Sequence, residues 1–157
     1  MFEINTRPTD DQLVKVLAWL YQEQVEFNEG FFCNRNIIAK CFEESRAQCV
    51  MEDCQPVAFA VYSKFETSAE ISILEVKPSH RGKGFGLALA NSLIDSFILN
   101  GSEYIEVECT PETSEPFWRK QGFQTYIDPL NYRDEYDPVQ LRLYSGHRLG
   151  PRSSGGA

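Results

Sequence analysis

A mixed α/β fold (α+β), with a mostly antiparallel central sheet of six to seven strands and helices on both faces, is what this 157-residue chain predicts. Two observations carry the prediction. The hydrophobic period switches between two and about 3.6 along the chain, the mark of strands interleaved with helices. The stretch from Val76 to Ile94 also reads as a strand running through a glycine-rich turn into a helix. A hydrophobic content of 42% over a length that suits one domain with a full core fits an ordinary globular protein.

The elements follow in order. Residues 2–5 alternate as a short first strand. Thr9 then caps a helix with Gln12 three residues on, carrying Leu13, Val14, Leu17, Leu20 and Tyr21 on one face and ending near Gly30. The aromatic loop FNEGFF leads to a second helical pattern over residues 34–45 through Ile37, Ile38, Cys41 and Phe42. Residues 48–51 and 57–62 are strand-like around a polar turn ending at Pro56, and 70–77 make the fourth strand, where Pro78 ends the ladder by removing a donor. The next helix sets Leu87, Ala90, Leu93, Ile94, Phe97 and Ile98 at core spacing and stops at Asn100 and Gly101. Residues 104–109 are a fifth strand, 115–121 a short helix, 123–127 a sixth strand and 139–144 the last, with 128–137 a surface loop between them. From Gly146 periodicity is lost, so the expectation is a single domain over 1–146 and a disordered tail over 147–157.

Charge and composition narrow the function classes. A formal net charge of −8 argues against a nucleic-acid surface, which needs a basic face. There is neither an apolar run of about 18 residues nor a basic start followed by an apolar stretch, so the expectation is a cytoplasmic protein with no membrane partner. Five cysteines without paired short spacings argue against a disulfide framework or a zinc site, and read as mostly buried thiols.

Within this acidic chain, Lys77, His80, Arg81 and Lys83 crowd into one turn, where Gly82, Gly84 and Gly86 remove every second side chain. Backbone N–H groups can close on a ligand there, and the following helix adds unpaired donors and its positive dipole end. The expected ligand carries phosphate. A P-loop does not fit, since Lys83 is followed by Gly84 with no hydroxyl for magnesium. A dinucleotide fingerprint fits poorly, because Leu87 stands where its third glycine belongs.

The run Val76, Pro78, Arg81, Gly82, Gly84, Gly86 followed by an apolar helix resembles motif A of the GNAT superfamily of N-acetyltransferases. Phe117, Trp118, Gly122 and Phe123 are similar to a second element of that family. The resemblance implies a fold whose fourth and fifth strands splay, and acetyl-CoA as co-substrate. Its diphosphate would lie on the turn through Arg81, Gly82, Lys83, Gly84, Phe85, Gly86 and Leu87, its pantetheine arm beside the main chain of Leu74 and Val76, and its sulfur end under Trp118. It also implies acetyl transfer to a primary amine, on a small cationic molecule or a protein, directly within a ternary complex. A catalytically silent acyl-CoA-binding module is the alternative.

Three chemical tasks follow: deprotonating the amine, stabilising charge on the thioester oxygen, and protonating the leaving thiolate. Glu70 is the first choice of base, by its distance before Arg81 in the resemblance. Glu75 and Glu108 compete, although strand alternation sets Glu75 on the face away from Glu70. For the oxyanion, the resemblance implies a main-chain N–H of the fourth strand. Trp118 stands where the family carries its tyrosine acid, and an indole N–H supplies no proton at useful pH. The thiolate then leaves unassisted, or takes its proton from water or from Tyr104, Cys109 or Tyr126, Tyr126 being the catalytic choice. Pro111 replaces the family's helper asparagine. Cys109 lacks the histidine neighbour that a covalent acetyl-cysteine route needs. The acidic carboxyl half suits a cationic acceptor, and Phe27, Phe31 and Phe32 could line its wall. The expected partners are acetyl-CoA, an amine and at most a second copy in a homodimer, with no nucleic acid and no metal.

Overall fold

A computed structural model describes residues 1–130 and 134–148. Six strands, β1 (Phe2–Asn5), β2 (Ala47–Glu52), β3 (Gln55–Lys64), β4 (Ser68–Val76), β5 (Tyr104–Glu108) and β6 (Gln140–Tyr144), are hydrogen-bonded in chain order. The sheet is mostly antiparallel, with β4 and β5 parallel. Four α-helices accompany it: α1 (Asp10–Phe27), α2 (Arg35–Glu43), α3 (Phe85–Leu99) and α4 (Glu115–Lys120). The chain parts into two compact units. The first holds Met1–Ser63 and Ser72–Leu93, the second Lys64–Ile71 and the described residues from Ile94.

Local signals set the element ends. Thr9 and Gln12 close the expected capping box on α1: the Gln12 N–H donates to Thr9 Oγ1 at 3.3 Å and the Thr9 N–H to Gln12 Oε1 at 2.7 Å. That helix stops at Asn28, in the left-handed region at φ 54°. Asp53 and Cys54, both at positive φ, turn β2 into β3. The ladder shifts register between Val50 and Met51, opposite Pro56, which has no N–H to give it. The α3 helix ends as its sequence asks, with Gly101 at φ 95°.

In the first unit, Val16, Trp19 and Leu20 of α1 and Ile38, Cys41 and Phe42 of α2 pack on Cys49, Phe59, Val61 and Ile73. Burying an aliphatic side chain such as Leu20 or Ile38 contributes about 2 kcal/mol. The Trp19 indole N–H also donates to Pro56 O at 3.1 Å, so the ring pins the helix to β3 by a polar end as well. The second unit buries Ile105 and Val107 of β5, Leu141 and Leu143 of β6, and Phe97, Trp118 and Phe123.

One expectation changes. The strand expected over 123–127 is a single bridge, Gln124 with Arg142, because the Asp128 carboxylate takes the Leu130 N–H in a turn at Pro129 and draws the backbone away. The β3–β4 hairpin holds one residue more on β4: the Phe65 N–H meets Ser68 O at one end, while the Lys77 N–H meets Val57 O at the other. Alternation nonetheless holds through β4: Ala69, Ile71, Ile73 and Glu75 are buried while Glu70, Ser72 and Leu74 are more open, which sets Glu75 on the face away from Glu70 as expected. Cys41, Cys49 and Cys109 are buried, whereas Cys33 and Cys54 are exposed; all five are free thiols. The β4–β5 pairing ends at Ile71 with Val107, while β4 continues to Val76, which is the expected splay. The tail from residue 149 and residues 131–133 of the surface loop lie outside the described residues. Among the described residues no helix is long and apolar enough to cross a membrane, and no acid, His and Cys group could hold a metal.

Candidate active site

The glycine turn belongs to the first unit. After β4, a 3₁₀ turn over Pro78–His80 lifts the chain away from the ladder, and Gly82 and Gly84 follow at φ 78° and 87°. These backbone angles require glycine, while a Cβ at either position would meet nothing within 4 Å. The turn is thus bare on its outer side and set by backbone alone. The Ala88 N–H donates to Gly84 O at 3.1 Å, so α3 begins its ladder there. The N–H groups of Phe85, Gly86 and Leu87 precede that bond and have no acceptor within the helix. A backbone concavity of this kind, at the positive end of a 15-residue helix, is suited to a diphosphate.

The basic residues around the turn divide into two kinds. His80 is held by Glu52, Nε2 to Oε1 at 3.4 Å, and by Ser79 Oγ at 2.7 Å from Nδ1. Arg81 donates from Nε to Val76 O at 3.0 Å and from Nη2 to Glu23 Oε2 at 2.7 Å. Among the described residues, Lys77 and Lys83 have no carboxylate within salt-bridge distance. The charge left for a ligand is therefore that of the two lysines and the amides, with Arg81 already engaged by Glu23. Sequence reasoning missed Glu23, which sits among helical residues with no motif around it.

Glu75 joins this group, with Oε1 3.6 Å from Arg81 Nη2. Burial pushes its carboxyl up to about 9, with a hydrogen bond and the charge of Glu23 adding to the rise and Arg81 opposing it. A carboxyl raised in this way favours its neutral form, which suits Glu75 poorly to the part of a base.

The second unit carries a face made of side chains. Parallel pairing sets Glu70 beside Glu106, and antiparallel pairing sets Glu106 beside Arg142 and Tyr104 beside Tyr144. The Glu106 carboxylate accepts from Arg142 Nε at 2.6 Å. The guanidinium lies over the Tyr104 ring at 4.1 Å and the Tyr126 ring at 4.0 Å, and Nη1 donates to the Tyr144 hydroxyl at 3.2 Å. Burial opposes the charge of Arg142, but the bonds to Tyr144 and Glu106 outweigh it and hold its pKa above the ordinary value. The bridge at Gln124 brings Tyr126 to this face, where its hydroxyl donates to Gln140 Oε1 at 2.9 Å. Only the period-two run of Tyr104 and Glu106 against Arg142 and Tyr144 hinted at it in the sequence.

Trp118 is buried, with edge contacts to Phe117 and Phe123 at 4.9 and 5.3 Å between ring centres, so it serves as core whatever else it lines. Cys109 is also buried. Desolvation pushes its thiol up, which leaves it a poor nucleophile at neutral pH. Phe27 is exposed, whereas Phe31 and Phe32 are partly buried against the first unit's core.

The splayed β4 and β5 and the glycine turn into α3 are the features that the sequence resemblance implies. Residues 13–123 match the model of the acetyltransferase (GNAT) family, and the chain belongs to that family. Solved structures agree in fold. A GNAT-family acetyltransferase from Bacillus cereus ATCC 10987 is 20% identical, with a TM-score of 0.67 over 92% of this chain and 97% of that one. The ribosomal-protein-S18-alanine N-acetyltransferase of Escherichia coli is 16% identical, with a TM-score of 0.69 over 98% of both chains. The PaiA N-acetyltransferase of Thermoplasma acidophilum, in complex with coenzyme A, is 13% identical, with a TM-score of 0.71 over 92% and 99%. N-acetylglutamate synthase from Neisseria gonorrhoeae, complexed with coenzyme A and N-acetyl-glutamate, is 16% identical with a TM-score of 0.69 over 92% of this chain, which spans 35% of that longer protein. No curated protein sequence matches the chain.

Proposed function

We propose that this protein is an acetyl-CoA-dependent N-acetyltransferase acting on a primary amine of a small cationic molecule or a protein. The observation that carries the proposal is the bare turn, with Gly82 and Gly84 at positive φ opening into α3. The family uses acetyl-CoA, and coenzyme A occupies the T. acidophilum and N. gonorrhoeae neighbours, which supports the same co-substrate here. The coenzyme supplies an activated thioester acyl group. The backbone of residues 81–87 would hold its diphosphate, with Lys83 adding charge, while the main chain of Leu74 and Val76 would lie along its arm.

Glu70 then accepts the amine proton, directly or through a water. Its neighbour Glu106 is paired with Arg142, which distinguishes the two carboxylates that the strands set side by side. A main-chain N–H at Leu74 or Val76 stabilises the oxygen on which charge builds. Tyr126 is the proton donor to the departing sulfur, after giving up its bond to Gln140. A thiolate near its own pKa of about 8.5 needs little such help. Trp118, which has no proton to give, favours the second reading, a silent acyl-CoA-binding module.

Thiol release from acetyl-CoA, measured against polyamines, aminoglycosides, amino acids and basic peptides, tests the proposal. Turnover with one class and its loss in Glu70→Gln are expected. Tight coenzyme binding without turnover on any amine would favour the module, and no heat of coenzyme binding would sink both readings.

A further inference from the structure

The first unit holds a cluster that the proposed chemistry does not use. Glu23, in the last turns of α1, and Glu75, near the end of β4, are 2% and 8% exposed, yet they approach each other and share one cation, Arg81. Two ionised carboxylates cannot occupy such a site together, since a single half-exposed guanidinium leaves a net negative charge in a dry pocket. Glu23 Oε1 and Glu75 Oε2 are buried without any hydrogen-bond donor. A proton held between the carboxyls supplies the missing donor and cancels the excess charge.

Gly30 seals the cluster from the other side. It stands at φ 97°, and a Cβ there would run into the Glu23 carboxylate, with Cδ 2.7 Å and Glu75 Oε1 3.3 Å away. Any side chain there would be strained at that φ and would have to displace the Glu23 carboxyl. One carboxyl pair therefore touches the loop after α1 through Gly30, and the glycine turn through Arg81.

We infer that Glu23 and Glu75 share a single proton and act as positioning residues, which through Arg81 and Gly30 fix the glycine turn and the loop after α1 in one arrangement. Arg81 serves as a brace in this arrangement, and the turn offers amides rather than the guanidinium to its ligand. The role as a turn for coenzyme A rests on the function proposed above; the shared proton does not.

The raised pKa of Glu75 gives the inference a pH signature. The groups acting on it are Glu23 on α1, Arg81 in the turn and Glu29 in the loop. Its folded value of about 9 exceeds the ordinary 4.5, so the folded state binds the extra proton over that window. The associated stability is full below about 4.5 and is lost as pH rises through about 9.

The test uses the unliganded full chain, its melting temperature against pH, and the amide resonances of Gly30, Gly82 and Gly84. Wild type should lose melting temperature as pH rises through this window. Glu75→Gln, which keeps a neutral partner in place, should remove the slope and leave the three glycine resonances near their wild-type positions. Glu23→Gln, which takes the charge from Arg81, should move all three and weaken coenzyme A by about tenfold. A slope that persists in Glu75→Gln, or glycine resonances unmoved by Glu23→Gln, would overturn the inference. Should wild type bind no coenzyme A while slope and resonances behave as stated, the positioning role stands and the coenzyme reading fails.

Discussion

The glycine turn of the first unit and the tyrosine face of the second are built from opposite materials. The turn presents backbone: two glycines at positive φ, a helix start, and two of its four basic side chains tied to acids. The face presents side chains, with Arg142 over two tyrosine rings, an ion pair at 2.6 Å and Glu70 one strand away. The contrast teaches a division of labour. Amide dipoles, which cannot titrate, suit the holding of an anion at any working pH. Carboxylates and hydroxyls, which move protons, suit the chemistry.

That division can be broken by experiment. Glu70→Gln should lower kcat by about a thousandfold, within the range for a lost general base, and leave coenzyme A affinity unchanged by calorimetry. A coenzyme affinity that falls with it would put Glu70 in the binding site and blur the two regions. Gly84→Val forces a β-branched residue to φ 87° and should weaken coenzyme A by about a hundredfold, with circular dichroism unchanged. Unchanged affinity would remove the turn from the binding site.

Smaller effects sharpen the second region. Arg142→Met leaves Glu106 without its cation and strips two ring contacts, so urea unfolding should report a loss of about 2 kcal/mol. A loss near zero would mean that the face is assembled by its apolar reverse side alone. Tyr126→Phe should cost about tenfold in kcat, less than the usual general-acid contribution because the thiolate leaves well. An unaltered rate would reduce the hydroxyl to a brace for Gln140.

Legibility differed between the regions for a physical reason. Glycine spacing, a capping Thr9 with Gln12, and Gly101 at a helix end act within a few residues, so the turn and most element bounds could be read directly. The strand expected over 123–127 failed because alternation records a half-buried environment and says nothing of whether a partner runs alongside; here only Gln124 finds one. The extra residue in β4 was equally invisible, since register comes from pairing with β3.

Local order alone was thus enough to prescribe the order of elements, the glycine turn and the family to which the chain belongs. Long-range folding was needed to join Glu23 with Arg81 across 58 positions of sequence, and to set Arg142 beside Glu106 across 36. Backbone conformation obeys neighbours along the chain. A carboxylate's charge obeys whatever burial and cation the fold brings to it, and no short stretch of residues records that.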